Sequence, residues 1–533
     1  MRRLIDTPVT PALNPRQAGA NLPHDSALRH VRGAAVYVDD MPLSTTHLHV
    51  AIGRCTAAFG RIESVNLDEV RKSPGVVDVI VQSDIPGKVD IAPVFDGDPL
   101  LAGDKIQFSG QALFAVVATS FAAAQRALTK AVVKELPQPS LQSVAVAAAA
   151  RDFVVPEHVI ARGDLAAAFA AAPQTISGHI EIHGQEHFYL EGQVAEAHCT
   201  EEGVLVYSSS QHPGELQKLI AEVLALPMHK VVVEVRRMGG GFGGKETQAA
   251  LPACLAALFA RRTGKPVRCR LPRKDDMIIT GKRHPFSNDY KAAFDSEGRI
   301  LAAELTLAAD CGCSADLSMG IVDRAVLHAD NAYYLPTVSI TGLPCRTNKV
   351  SNTAFRGFGA PQGMLTTEAM LDDVARAVGR DPLDVRLTNL YKLGETTPYG
   401  QAIEETVLPD LLEQLATSAD YRARRAAIAS FNESNSVLRK GLALTPVKFG
   451  ISFTTTHLNQ AGAQVAIYTD GSIHLNHGGT EMGQGLFIKV AQVVASAFGV
   501  DIDRVMVTAT RTDKVPNASP TAASAGTDLN GMA

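Results

Sequence analysis

Between residues 25 and 134, short strand-like apolar runs alternate with helix-like ones. Two-residue periods and continuous apolar stretches predict strands, whereas apolar positions three and four residues apart predict helices. The predicted elements are strands at residues 47–54, 76–81 and 112–119 and helices at residues 67–73 and 121–133. This alternation predicts a small, compact α/β domain over residues 25–134. Residues 1–24 show no such pattern and are predicted to form an extended arm.

Residues 135–150 contain two prolines and an alanine run, and we predict a linker there. From residue 151 to residue 533 the pattern changes to long strands and solitary helices. Turn signals at 295–298 and at Asp470-Gly471 join neighbouring strands. The predicted strands are 288–294, 299–309, 463–468 and 472–477, and the predicted helices are 362–378, 409–429 and 485–498. Strands and helices do not alternate strictly, so the predicted fold class is α+β.

Length, net charge and cysteine content limit the number of domains, the kinds of partner and the kinds of metal site that are expected. A chain of 533 residues is long enough for at least two domains. A net charge of −5 gives no electrostatic reason to expect nucleic acid or an anionic membrane as a partner, and no apolar run reaches transmembrane length. The odd number of cysteines, seven, predicts reduced thiols in the cytoplasm, and the absence of a Cys-x-x-Cys pair predicts no zinc or iron–sulfur ligand set.

Residues 238–246 read Met-Gly-Gly-Gly-Phe-Gly-Gly-Lys-Glu and follow a predicted strand at 231–237. Such a loop allows main-chain N–H groups to approach a ligand closely. It partly matches a P-loop and a dinucleotide fingerprint, but both interpretations have a difficulty at this point. A P-loop needs a hydroxyl at Glu246, and the dinucleotide motif needs an acidic residue after the next strand, where 266–271 is followed by basic ones.

Several other short segments combine glycine with one polar or aromatic residue. They are residues 210–213, 323–324, 354–359, 453–454, 478–485 and 521–526. Each segment alone is typical of a tight turn or a helix start. Taken in order with the glycine loop, they resemble the molybdenum-binding subunit of the xanthine dehydrogenase/aldehyde oxidase family of molybdenum hydroxylases. Residues 24–27, 39–40 and 185–191 extend the resemblance over nearly the whole chain.

The resemblance implies a hammerhead domain over residues 25–134 and a molybdopterin-binding domain over residues 151–533. It implies a molybdopterin cofactor in which molybdenum carries a terminal sulfido group. The residues implied to border the metal are Gln211, Phe242, Arg356 and Ala523, with the Gln211 amide bonding an apical oxo group. Those implied to hold the pterin are Gly241, Met482, Gly483, Gln484, Thr521 and Ser524. A bulky anionic cofactor of this kind suits many neutral N–H donors.

The residues that match the family's substrate positions are Glu246, Arg324, Phe358, Phe453 and Thr454. Two phenylalanines can sandwich a flat heteroaromatic ring, and an arginine can neutralise charge that builds on a carbonyl oxygen. This acidic–basic pair favours hypoxanthine or xanthine, oxidised towards urate, over an aldehyde. An aldehyde or another N-heterocycle stays open as an alternative. So does a purely structural role, in which Glu246 caps its own helix and Arg324 pairs with Asp323 or Asp330.

The implied chemistry releases two electrons, and this sequence contains neither iron–sulfur cysteines nor a flavin motif. We therefore expect a 2Fe–2S centre and FAD on a partner subunit, with a dimer of heterodimers as the assembly. The family's general base lies in a Gly-x-Gly-Glu-Pro segment that does not occur before Ala533. The expectation is thus a partial molybdopterin domain, no catalytic residue in this chain and no activity of the chain alone. A non-catalytic interaction module and an ATP-binding P-loop protein remain alternatives.

Overall fold

The computed structural model describes residues 18–515 and 517–533. The chain divides into two compact units. The first unit contains Met1–Pro139, His187–Gly281 and Ile451–Ala533, and the second contains Ser140–Glu186 and Lys282–Gly450. Most of the predicted arm lies in residues 1–17, outside the described part.

An eight-stranded sheet forms the centre of the first unit in the described residues. In spatial order its strands are Thr510–Arg511, Val231–Val235, Val204–Ser208, Val194–Cys199, Val267–Arg270, Leu48–Arg54, Ala112–Ala118 and Val76–Ile80. Every residue of Ala112–Ala118 is buried, which explains its uninterrupted apolar sequence. Helix Ala250–Thr263 is apolar on all sides because its residues 252–260 are buried in the same core.

Two small sheets complete the strands of this unit. They are Lys105–Ile106, Gly60–Asn66 and Val132–Pro137, and Ala463–Ile467, Ile473–His477 and Val505–Val507. The other α-helices of the unit are Ala27–Val31, Asp68–Arg71, Phe121–Leu128, Pro213–Val223, Arg273–Ile279, Leu486–Phe498 and Gly526–Met532. Short 3₁₀ turns occur at Val38–Asp40, Gln82–Asp84, Met228–Lys230, Thr456–Leu458 and Ile502–Arg504.

The second unit packs helices on a sheet that has five strands in the described residues. In spatial order the strands are His158–Arg162, Thr337–Arg346, Ile300–Gly312, Phe286–Phe294 and Gln174–Ile182. The helices are Val144–Ala150, Leu165–Ala171, Ser318–His328, Ala360–Val378, Pro382–Asn389, Leu408–Ser418 and Tyr421–Ser434. Helices Ser318–His328 and Ala360–Val378 cover the apolar core of this sheet. The predicted α+β class is confirmed.

Several predicted elements differ from the structure. The predicted helix 121–133 ends at Leu128, because Val132–Pro137 pairs with Gly60–Asn66 as a strand. The predicted helix 409–429 is two helices, separated at Asp420, whose φ is +51°. Residues 135–150, predicted as a linker, contain the end of a strand and helix Val144–Ala150.

The strands predicted at 47–54, 76–81 and 112–119 belong to the large sheet, whereas Gly60–Asn66, Lys105–Ile106 and Val132–Pro137 form a small separate sheet. Leu48 lies opposite Val267 in a parallel pair, so strand Leu48–Arg54 continues the sheet built by residues 194–270. Nothing local in the sequence signals this pairing, because the two strands are far apart along the chain. All seven cysteines are free thiols, six of them buried. In the described residues the helices are too short or too polar to cross a membrane.

Candidate functional site

Gln211 connects two of the segments that the resemblance assigns to the cofactor. Its side chain is buried, and its Oε1 accepts a hydrogen bond of 2.9 Å from the backbone N–H of Gly243. Its Nε2 donates to the carbonyl of Thr521 at 3.1 Å, while the N–H of Thr521 donates to the Gln211 carbonyl at 2.9 Å. The glycine loop at 238–246, Gln211 and Thr521 are therefore held together by hydrogen bonds.

Close packing explains why glycine is needed at residue 241. A Cβ atom at Gly241 would lie 2.6 Å from the Oε1 of Gln211, closer than real Cβ atoms come. Gln211 cannot easily move away, since its Oε1 and Nε2 are both hydrogen-bonded. The absence of a side chain at Gly241 therefore leaves room for the Gln211 amide, which holds the loop in place.

Non-glycine residues in the left-handed region are found in both segments. Phe242 has φ +56°, Ala523 has φ +53° and Ser524 has φ +56°. Each such residue costs roughly 1–3 kcal/mol unless the surrounding structure compensates, and these conformations concentrate at ligand sites. Phe242 also leaves 44% of its surface exposed although the loop beneath it is buried. The Phe242 side chain therefore points outward from a loop whose backbone is buried.

Lys245 holds the glycine loop in place from its buried side. Its side chain is wholly buried, and its Nζ donates to the Glu191 carbonyl at 2.8 Å and to Ser209 Oγ at 2.6 Å. Burial lowers the pKa of Lys245 to about 8, with the Glu191 carboxylate acting in the opposite direction. Glu191 in turn accepts the N–H of Gly239 at 2.8 Å. Lys245 thus anchors the loop instead of reaching outward, which contradicts the P-loop alternative.

The dinucleotide alternative is also wrong. Its motif requires the strand before the glycine loop and the strand after the next helix to be neighbours. Strand Val231–Val235 lies between Val204–Ser208 and Thr510–Arg511. Strand Val267–Arg270 pairs instead with Val194–Cys199 and Leu48–Arg54. No adjacent βαβ unit is therefore built around residues 238–246.

The second predicted cofactor segment, residues 482–485, is organised by Glu481. This buried carboxylate accepts the N–H groups of Gly483 at 2.9 Å, Gly485 at 3.0 Å and Phe487 at 3.1 Å. The Glu481 carbonyl accepts the N–H of Met238 at 2.9 Å, which joins this segment to the glycine loop. No role was predicted for Glu481, because its importance depends on bonds formed only in the fold.

The outer side of this segment is open. Gly483 and Gln484 are exposed and Met482 is half-buried, and a Cβ atom at Gly483 would meet no atom within 4 Å. The N–H of Thr480 donates to Thr521 Oγ1 at 2.8 Å. Since Thr521 also bonds Gln211, this contact connects segment 482–485 with Gln211. Segment 482–485 therefore has a rigid, hydrogen-bonded inner side and an exposed glycine backbone on its outer side. Such a surface suits the binding of a large ligand.

Residues 452–454 adjoin the same network in the first unit. The N–H of Ser452 donates to the Ala523 carbonyl at 2.8 Å, and Phe453 follows it, half-buried. Thr454 is exposed and Glu246 is buried. Helix Ala250–Thr263 has Ala249 as its N-cap, so Glu246 lies ahead of the cap and is not the residue that begins the helix.

Two clusters of histidine and carboxylate in the described residues have the spacing of metal ligands. They are His24, Asp25 and Glu481, and His47, Glu196 and His198. In each cluster one histidine Nδ1 accepts a backbone N–H, from Ser26 at 3.0 Å and from Ser44 at 2.7 Å. The neutral ring therefore carries its proton on the Nε2 that faces the carboxylate, which leaves that nitrogen no lone pair for a cation.

These clusters stabilise the fold instead. His24 Nε2 lies 3.1 Å from Glu481 and so supports the carboxylate that orders residues 482–485. Burial alone would raise the pKa of Glu196, but hydrogen bonds from His198, His47 and Arg268 outweigh it and lower that pKa to about 2. Glu196 on strand Val194–Cys199 and Arg268 on strand Val267–Arg270 lie directly opposite each other. The second cluster thus links adjacent strands of the large sheet.

Arg324, Phe358 and Arg356 belong to the second unit. Arg324 is buried on helix Ser318–His328, and its Nη1 donates to the carbonyl of Gly450. Its guanidinium carbon lies 6.0 Å from the centre of the Phe358 ring, and burial lowers its pKa. The structure therefore places the Arg324 guanidinium beside the Phe358 ring.

The carboxylates considered as structural partners of Arg324 bond to other groups. Asp323 lies 2.8 Å from His158, and Asp330 bonds Lys448 and Tyr391 at 2.6 Å each. The hypothesis that Arg324 merely neutralises one of them gains no support. A guanidinium buried beside an aromatic ring is a strong recognition element for an oxygen atom or an anion.

The segment 354–359 packs on the helix that carries Arg324. Phe358 has φ +50°, and a Cβ atom at Gly320 would lie 3.0 Å from its ring. Arg356 is exposed, and its carbonyl accepts a bond of 2.8 Å from Arg283. Phe449 and Gly450, which contact Arg324, were not predicted, because their sequence contains no motif that separates them from an ordinary loop.

Three family models match the chain. Two models described as a molybdopterin cofactor-binding domain match residues 151–390 and 414–533. A third, described as the aldehyde oxidase and xanthine dehydrogenase a/b hammerhead domain, matches residues 32–139. Together the three models account for most of the sequence.

Curated relatives include proteins with different substrates in their names. A xanthine dehydrogenase/oxidase of Mus musculus is 42% identical over 522 residues, covering 97% of this chain and 39% of the relative. A xanthine dehydrogenase of Drosophila subobscura is 42% identical over 96% of this chain and 38% of the relative. A nicotinate hydroxylase of Emericella nidulans is 41% identical over 97% and 39%. The chain thus spans about two fifths of the length of these relatives.

Solved structures agree in fold. The aldehyde oxidoreductase from Desulfovibrio gigas superposes with a TM-score of 0.82 at 27% identity, covering 95% of this chain and 58% of that one. Quinoline 2-oxidoreductase from Pseudomonas putida 86 superposes with a TM-score of 0.84 at 25% identity, covering 97% and 70%.

Proposed function

The chain belongs to the xanthine dehydrogenase/aldehyde oxidase family of molybdenum hydroxylases, and from this membership we propose that it binds the molybdenum cofactor of a purine hydroxylase. The proposed reaction oxidises hypoxanthine and xanthine towards urate. One observation carries the choice of substrate, namely the buried guanidinium of Arg324 beside the ring of Phe358. An aldehyde requires neither a buried cation nor a stacking surface.

We assign the cofactor contacts to two groups of residues. Gln211, Phe242, Ala523 and Arg356 would border the metal. Gly241, Met482, Gly483, Gln484, Thr521 and Ser524 would hold the pterin. When bound, the cofactor in its sulfido form accepts the two electrons released as a C–H bond becomes C–OH. The chain's own contribution is a fixed base, in which Lys245, Glu191 and Glu481 keep the backbone of both loops in place.

The substrate residues act on the purine itself. Phe358 and Phe453 would contact the faces of the ring, which contributes about 1 kcal/mol beyond the buried area. Glu246 would accept or share a proton with ring nitrogens, with Thr454 as a minor hydrogen-bonding contact. Arg324 would stabilise negative charge that develops on a ring carbonyl oxygen in the transition state, where such stabilisation increases the rate.

The proposed reaction also needs electron acceptors and a general base, and we assign neither to the residues named above. A 2Fe–2S centre and FAD on a partner subunit would receive the electrons, in a cytoplasmic dimer of heterodimers. We assign the general base to no residue of this chain, and so expect no turnover from the chain alone. Enzyme activity must therefore be measured with the complete enzyme.

A second candidate substrate is a small N-heterocycle that carries a carboxylate. The nicotinate hydroxylase relative is nearly as similar as the xanthine dehydrogenases, at 41% against 42% identity. Arg324 could neutralise a carboxylate as readily as a carbonyl oxygen. Turnover of nicotinate faster than that of xanthine would favour this candidate.

Molybdenum and pterin analysis tests the cofactor part of the proposal. We expect purified wild-type protein to contain molybdenum and a fluorescent pterin. Gln211→Leu removes both side-chain bonds that connect the loops, and each buried group left unpaired costs about 1–3 kcal/mol, so molybdenum per chain is expected to fall about tenfold or more. Gln414→Leu, at an exposed helix position, is the control and is expected to match wild type.

An absence of molybdenum and pterin from correctly folded wild-type protein would contradict the proposal and favour a non-catalytic interaction module. Equal molybdenum in wild type and Gln211→Leu would contradict the role assigned to Gln211 while leaving the cofactor in place.

A further inference from the structure

His328 lies one helical turn after Arg324 at the end of helix Ser318–His328. The imidazole is buried and bonds on both sides. Its Nδ1 lies 2.9 Å from the carbonyl of Arg324, and its Nε2 accepts the backbone N–H of Gly450 at 2.9 Å. A carbonyl can only accept and a backbone N–H can only donate, so the tautomer is fixed with the proton on Nδ1.

Gly450 uses both of its backbone groups in this contact. Its N–H is held by His328, and its carbonyl accepts the hydrogen bond from the Arg324 guanidinium. The histidine thus fixes the peptide group that orients the arginine. The Phe449 ring packs beside both, with its centre 5.2 Å from the His328 ring centre and 5.5 Å from the guanidinium carbon of Arg324.

The segment before Gly450 is anchored independently. Lys448 Nζ lies 2.6 Å from the buried carboxylate of Asp330, and the Lys448 N–H donates to Asn331 Oδ1 at 3.1 Å. Residues 448–450 are therefore fixed at Lys448 and at Gly450. Removing His328 releases the N–H of Gly450, whose carbonyl bonds Arg324, and leaves both anchors of Lys448 in place.

The protonation state of His328 suits this role. Burial, together with the nearby charges of Arg324 and Lys448, lowers the pKa of His328 to about 4, although the hydrogen bond to the Arg324 carbonyl acts in the opposite direction. The ring is therefore neutral near pH 7, and its Nε2 lone pair remains available to Gly450.

We propose that His328 is the positioning residue for Arg324 and, through the Gly450 peptide, a determinant of the preference for a purine over an aldehyde. This inference rests on the proposed function, because it assumes that Arg324 acts on the substrate. A guanidinium between two aromatic rings with one N–H bonded to a fixed carbonyl has its remaining N–H groups in a defined plane. Displacement of a positioning group by about 1 Å can cost up to about 10²-fold in rate.

The test compares His328→Phe and His328→Gln in the complete enzyme. H328F keeps an aromatic ring and loses both hydrogen bonds, whereas H328Q keeps one donor and one acceptor. We expect H328F to lower kcat for xanthine about tenfold with little change in KM. Benzaldehyde turnover and molybdenum content should stay at wild-type values, and H328Q should recover most of the xanthine activity. His328→Asn, whose shorter amide reaches the Arg324 carbonyl but not Gly450, should behave like H328F and serves if H328F does not fold.

A double substitution separates the possible failures. If His328 acts through Arg324, adding H328F to Arg324→Met causes no further loss of xanthine turnover. An additive loss, an equal loss for benzaldehyde or no rescue by H328Q would overturn the role of His328 and leave the proposed function standing. Unchanged xanthine turnover in Arg324→Met alone would overturn the proposed function, and the inference with it.

Discussion

Replacing Arg324 with methionine is expected to lower kcat/KM for xanthine by about 10²–10³-fold, the usual effect of removing one donor that stabilises a developing negative charge. Methionine retains a long side chain with similar apolar atoms, so the packing against Phe358 and Phe449 is largely preserved. The hydrogen bond to the Gly450 carbonyl and the positive charge are lost. Turnover of benzaldehyde should change by no more than about threefold, because no ring carbonyl is present to be stabilised.

The measurement is steady-state kinetics of both substrates with the same enzyme preparation and electron acceptor. Arg376→Met is the matched control, since Arg376 is an exposed residue on helix Ala360–Val378 of the same unit. A parallel loss for xanthine and benzaldehyde in Arg324→Met would show that the arginine supports the fold or the cofactor and does not act on a purine.

Replacing Gly359 with alanine is expected to destabilise the protein by about 3 kcal/mol, the sum of about 1 kcal/mol for its backbone conformation and about 2 kcal/mol for overpacking. Gly359 has φ +92°, and a Cβ atom there would lie 2.0 Å from the backbone carbonyl oxygen of Ile321. That oxygen belongs to the helix that carries Arg324. The helix and segment 354–359 must therefore separate to admit one methyl group.

Gly379→Ala separates the two contributions. Gly379 also has a left-handed backbone, with φ +65°, but a Cβ atom there would meet nothing within 4 Å. It is expected to cost about 1 kcal/mol, from conformation alone. Urea denaturation of both variants measures the difference. Equal destabilisation would mean that the contact between Gly359 and Ile321 is not tight.

The contacts between the motif segments and the pairing of the strands depend on the sequence in different ways. The glycine loop, Gln211 and Thr521 were assigned to one place from the order of their motifs, and the structure joins them by hydrogen bonds. Strand Leu48–Arg54 was placed correctly, but its pairing with Val267–Arg270 was not predicted, because strand pairing depends on residues far apart in the sequence.

The supporting residues were missed for a related reason. Lys245 was considered only as part of a motif, although burial turns its ammonium group inward to Glu191 and Ser209. Glu481, His24 and His328 act through backbone N–H and carbonyl groups whose positions depend on the fold. Side-chain pattern alone contains no information about such partners. The sequence therefore predicts which loops belong to the proposed site, and the structure shows which hydrogen bonds hold those loops.

We propose that this chain directs a molybdenum hydroxylase towards a purine. The most direct measurement is the ratio of kcat/KM for xanthine to kcat/KM for benzaldehyde in the wild-type complete enzyme. We expect a ratio of about 10² or more, since a site built to bond polar ring atoms strongly rejects a substrate that lacks them. A ratio near or below one would contradict it.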